Sequence, residues 1–143
     1  MPKTLSDDDY RKKYEGKLPS GKWVSGPDDH ADHDGQSLIT RNHEVIQRWA
    51  EERDGKPATV GGTEHEGRPG VLRFDFPGGT RDLQEVSWDD WFRSFDERNL
   101  VFLYQEKLKS GKQSNFFKLN NPEREDDDQR ERRERDERRR KAA

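Results

Sequence analysis

The chain has 143 residues, 41% of them charged and only 26% hydrophobic, with a net charge of −3; this excludes a core spread over its whole length and any binding driven by overall charge. The absence of cysteine excludes disulfides and cysteine-ligated metal centres and fits a cytoplasmic protein, and no apolar run approaches membrane-spanning length, so no membrane partner is expected. All seven phenylalanines lie between Phe74 and Phe117, so folding is expected to centre there.

In chain order, residues 1–40 read as a flexible flank. Ser6-Asp7-Asp8-Asp9 supplies an N-cap and acids for the positive end of a helix of a turn or two, reaching Glu15, with Tyr10 and Tyr14 on one side. Residues 16–35 are dense in Gly, Pro, Ser, Asp and His, with only Leu18, Trp23 and Val24 as anchors, and read as loop or disorder.

Residues 41–121 read as a globular domain. Asn42 caps a helix whose Val45, Ile46, Trp49 and Ala50 share one face, and Gly55 and Pro57 end it. A short strand runs through Val60; after a polar connection, Leu72, Phe74 and Phe76 alternate with Arg73 and Asp75 in a half-buried strand that Pro77-Gly78-Gly79 stops. Ser87 opens a second helix with Trp88, Trp91, Phe92 and Phe95 at i, i+3, i+4 and i+7, and Asn99 suits its left-handed C-cap. Residues 100–105 are apolar at both phases, which predicts a strand buried on two faces; a turn at Ser110-Gly111 then leads to a last strand, 115–119.

The order helix, strand, strand, helix, strand, strand predicts an α+β fold, with a mainly antiparallel four-stranded sheet and two helices on one face. Residues 122–143 form a charged tail, disordered or a solvated helix, with Asp126-Asp127-Asp128 ahead of Arg138-Arg139-Arg140-Lys141.

Two clusters carry potential chemistry. His30, Asp32, His33 and Asp34 form the densest set of metal-ligand types; His30, Asp32, Asp34 and Gly35 follow the start of a calcium loop, but His30 stands where the first acid belongs and Arg41 where the closing glutamate belongs. Lys107, Lys109, Lys112 and Lys118, interleaved with Tyr104, Phe116 and Phe117, suit nucleic acid: lysines for phosphates, rings for bases. Buried rings and lysines that guard a sheet edge would give the same pattern. Gly16-Lys17-Leu18-Pro19-Ser20-Gly21-Lys22 has phosphate-loop spacing, yet Trp23 replaces the metal-binding hydroxyl, so it reads as a linker. His43 reads as helix surface, His65 as loop, and no Ser/His/Asp triad stands out.

At His43-Glu44-Val45-Ile46-Gln47-Arg48-Trp49-Ala50-Glu51-Glu52-Arg53, Pro57-Ala58-Thr59-Val60, Leu72-Arg73-Phe74-Asp75-Phe76-Pro77-Gly78, Ser87-Trp88-Asp89-Asp90-Trp91-Phe92 and Leu103-Tyr104-Gln105-Glu106 the chain resembles a family of small uncharacterised bacterial proteins, often labelled 1,4-alpha-glucan branching enzyme. The resemblance covers the domain and implies no catalytic residues; branching enzymes are built on a large barrel, for which this chain is too short. The reading is therefore a non-enzymatic binding or interaction module with a protein partner and no cofactor. Nucleic-acid binding is the alternative, and a metal-assisted or glycan-acting enzyme the third class.

Overall fold

A computed structural model describes residues 5–62, 70–79 and 83–123; His65 and the charged tail from residue 124 onward lie outside the described residues. The elements are α1 (Asp7–Lys13), β1 (Lys22–Trp23), β2 (Leu38–Thr40), α2 (His43–Glu51), β3 (Lys56–Val60), β4 (Leu72–Asp75), β5 (Leu83–Glu85), α3 (Trp88–Glu97), β6 (Val101–Tyr104) and β7 (Phe117–Asn120). The fold is α+β, and among the described residues no helix is long and apolar enough to cross a membrane.

The two main helices form where capping and periodicity place them. The Asn42 side chain accepts a hydrogen bond from Val45 N (3.0 Å), and Val45, Ile46, Trp49 and Ala50 are buried. Asp54, at φ 55°, turns the chain out of α2, and Gly55 N closes the helix onto Ala50 O (2.8 Å). Glycine is required at 55 for space, because a Cβ there would stand 2.8 Å from the Phe76 ring. Ser87 caps α3 through Asp90 N (3.1 Å), and Asn99 takes the left-handed position (φ 52°) after it.

The strands are divided otherwise than the linear order suggests. In place of one sheet made from the four predicted strands there are two: β1-β2-β6-β7 and β4-β3-β5. Among the described residues only β1 and β2 pair in parallel. The split arises because β2, from the N-terminal segment, pairs with β6 (Leu38 opposite Tyr104, Thr40 opposite Phe102), while β5 pairs with β3. Strands of two or three residues are too short to show alternation, so β1, β2 and β5 leave no periodic trace.

Residues 5–40, expected to be a flexible flank, contribute to the core. Side chains on one face of β6 and its neighbours, including Leu38, Phe102 and Tyr104, pack with α2, α3, Leu72 and Phe74. On the other face Ile39 and Val101, with Trp23 and Leu103, pack against Tyr10 and Tyr14 of α1. The predicted two-sided burial of β6 is thus met, its second cover being α1. The Tyr10 hydroxyl donates to Asn99 O (2.7 Å), Tyr14 donates to Glu123 Oε1 (2.7 Å), and the Arg41 guanidinium lies 4.2 Å from the Tyr10 ring centre.

Burial raises the pKa of all three tyrosines. Tyr14 is pushed up from 10.0 to about 12 by desolvation and by its bond to Glu123, and Tyr10 and Tyr104 are pushed higher, first by desolvation. In the unfolded chain these phenols ionise near 10. Their stabilising contribution is therefore complete below pH 10 and is lost as pH climbs above it, that of Tyr14 through about 12 and those of Tyr10 and Tyr104 higher still. A pH series followed by tyrosinate absorbance and circular dichroism should show ionisation and unfolding together above pH 10. Three tyrosines titrating at their ordinary value in a folded chain would contradict this packing.

Candidate functional site

Where loop 27–35, α2 and the β6–β7 hairpin meet, a cleft of about 460 Å³ opens, within the range of roughly 300–1,000 Å³ usual for small-ligand sites. The loop carries Asp29, His30, Asp32, His33 and Asp34; α2 and its C-terminal end supply Trp49 and Arg53, and the hairpin supplies Tyr104, Glu106 and Lys107.

The loop is held by fixed bonds. Glu106 accepts from Ala31 N through Oε1 and from His30 Nδ1 through Oε2, both at 2.7 Å; because a carboxylate only accepts, Nδ1 of His30 carries the proton. Lys22 Nζ reaches His30 O (2.8 Å), Asp32 Oδ1 (3.1 Å) and Asp29 Oδ1 (3.3 Å). Lys22 holds the Asp32 carboxyl below the usual carboxylate range, and the Lys22 ammonium is raised in return, first through its bond to Asp32. At the far end Gly35 N donates to Lys107 O (2.9 Å); with φ 84° and a Cβ position 2.6 Å from Lys109 Cγ, only glycine allows that approach.

Arg53 clamps the opposite wall. Only 7% exposed, it donates through NH1 to Trp49 O (2.8 Å), through NH2 to Glu106 O (2.9 Å) and through Nε to Ser114 O, and it stacks 4.4 Å from the Trp49 ring centre. Its guanidinium thus joins the end of α2 to both arms of the hairpin. Desolvation lowers its pKa, and the nearest carboxylate, Glu52, stands 3.9 Å away and largely in solvent.

Tyr104 is different in kind. It is 2% exposed, its ring stacks on Phe102 (5.2 Å), it lines the cleft, and among the described residues its hydroxyl has no hydrogen-bond partner. The charges that act on the hydroxyl are those of Glu106, Asp29 and Arg53, in that order. A hydroxyl that opens onto the cleft without a partner among the described residues is available to something that enters.

The two predicted clusters meet in part. His30, Asp32, His33 and Asp34 share the cleft with Tyr104 and Lys107, while Lys109, Lys112 and Lys118 lie outside it, exposed. Three of the four loop side chains point their bonds apart: His30 toward Glu106, Asp32 toward Lys22 and Gln36, His33 Nδ1 toward Asp34 O. Among the described residues no group of three or more His, Asp or Glu converges on a cation position. Tyr104, predicted to stack on bases, is sealed against Phe102; the ring the hairpin offers is Phe116, 46% exposed. His43 does more than cover a surface, since Nε2 donates to Asp96 Oδ1 (2.9 Å) and the ring stacks on Phe92 (4.2 Å), tying α2 to α3.

Lys22, Glu106 and Arg53 escaped the sequence reading. For Arg53 a signal existed: with Ile46, Trp49 and Ala50 it falls at i, i+3, i+4 and i+7, on the buried stripe of α2 continued. Lys22 and Glu106 lie 10 and 75 positions from their partners Asp32 and Ala31, and no local pattern marks them. Neither protein-family models, nor curated proteins, nor solved structures yield a match to this chain.

Proposed function

We propose that this protein is a non-enzymatic binding module whose ligand enters the cleft between loop 27–35, α2 and the β6–β7 hairpin. The observation that carries the reading is the Tyr104 hydroxyl, on a side chain only 2% exposed and without a hydrogen-bond partner among the described residues, at a cleft whose walls are clamped by Glu106, Lys22 and Arg53. Walls built in advance lower the ordering cost of binding. A second reading, single-stranded nucleic acid on the hairpin, is supported by the exposure of Phe116 together with that of Lys109, Lys112 and Lys118. A cytoplasmic setting, supported by the lack of cysteine, belongs to the proposal. So does kinship with the small bacterial proteins that residues 43–53 and 87–92 resemble, without the activity in their label.

Amide NMR of the full chain, screened against small cationic, anionic and neutral polar compounds, tests the assignment. Hits are expected to move Ala31, Glu106 and Gln113, all three of which line the cleft. If no compound moves them, while a single-stranded oligonucleotide moves Lys109, Lys112 and Phe116 in a manner suppressed by salt, the hairpin is the binding site instead.

A further inference from the structure

Resting on that reading of the cleft, we infer that its ligand is a basic peptide side chain, the guanidinium or ammonium of arginine or lysine, received by the Tyr104 hydroxyl oxygen within and the Asp34 carboxylate at the rim. The hydroxyl is an acceptor in a negative surrounding: Glu106 and Asp29 act on it more strongly than Arg53 does. Arg53 directs its three nitrogens at main-chain carbonyls, so its donors are engaged away from the hydroxyl. Asp29 and Asp32 are matched by Lys22, and Glu106 has both oxygens on the loop. Asp34 is left: its exposed carboxylate has no hydrogen-bond or ion-pair partner among the described residues, and it is short and fixed on a braced loop.

Lys107 and Arg48 also line the cleft and oppose a bare cation. Both are exposed, and their long stems let the heads turn to solvent, where they can meet the carbonyls of a peptide main chain. A negative carboxylate cannot leave the loop in the same way. The preference thus falls on a cation carried by a peptide rather than on an inorganic ion, for which no converging ligand set exists among the described residues.

Such side chains have two sources, a partner protein or the chain's own Arg138-Arg139-Arg140-Lys141. The 14 residues from 124 to 137 in this sequence reach at most about 45–50 Å when extended, far enough to cross a domain of this size.

The test titrates the isotope-labelled full chain with N-acetyl-arginine amide and N-acetyl-lysine amide, with the glutamine and glutamate analogues as controls. A second chain carries Arg138→Gln, Arg139→Gln, Arg140→Gln and Lys141→Gln. The basic probes are expected to move Ala31, Asp34, Glu106 and Gln113, with binding about tenfold weaker in Asp34→Asn and in Tyr104→Phe, each the loss of one hydrogen bond to a charged group. Equal binding to both chains assigns the cleft to a partner's side chain. Binding only to the substituted chain assigns it to the protein's own arginines. If neither chain answers the basic probes, or the control probes bind as well as they do, the inference falls. The cleft itself still stands as a ligand site if other compounds move the same amides, and falls with the inference only if none does.

Discussion

Tyr10→Ala is expected to lower the free energy of unfolding by about 3–5 kcal/mol, the range for truncating a fully buried aromatic side chain. Tyr10 is 0% exposed in the second apolar cluster, with Tyr14, Ile39 and Val101, and its hydroxyl ties α1 to the turn after α3 through Asn99 O. Its loss also strips the ring from under Arg41, whose NH2 is already buried without a hydrogen-bond partner, the nearest carboxylate oxygen on Asp96 standing 4.0 Å away. Tyr10→Phe keeps the ring and should cost only about 1 kcal/mol. Urea denaturation of the two variants separates packing from the hydrogen bond. A Tyr10→Ala chain within 1 kcal/mol of the parent would mean that α1 is an ornament on the sheet rather than its second cover.

The next largest effect belongs to Arg53. Arg53→Met keeps the apolar stem over Trp49 but leaves the carbonyls of Trp49, Glu106 and Ser114 without their donor, and about 3–5 kcal/mol should be lost. Arg53→Lys restores the charge but not the planar fork, and should recover only part of the loss, because one ammonium cannot reach three carbonyls on three segments. Amide exchange should show the hairpin near Glu106 and Ser114 opening before the rest of the core. If Arg53→Lys were as stable as the parent, charge alone would explain the residue and the clamp would be disproved.

The parts of the fold legible in the sequence are those that short-range physics decides. Asn42 and Ser87 cap their helices as their side chains predict, the stripes Val45, Ile46, Trp49, Ala50 and Trp91, Phe92, Phe95 are buried, and Asn99 takes the left-handed turn. The doubly apolar run at β6 announced burial on both faces. What lay on the second face was not legible, because α1 is short and polar apart from two tyrosines, and their burial depends on partners at Ile39 and Val101 far along the chain.

At the candidate site the division is the same. The loop of aspartates and histidines was visible as composition, and Tyr104 and Lys107 as an aromatic and a base on a hairpin, but they were assigned to different chemistries. Only the pairing of β2 with β6 brings loop 27–35 against the hairpin, where Glu106 and Gly35 lock the two together. The sequence by itself determined the α+β class, the helix ends and the apolar stripes, since caps, turns and periodicity act within a few residues. The tertiary structure alone decided the division into two sheets, the role of the N-terminal segment and the existence of the cleft. Those depend on contacts between residues tens of positions apart, whose closeness no local pattern encodes.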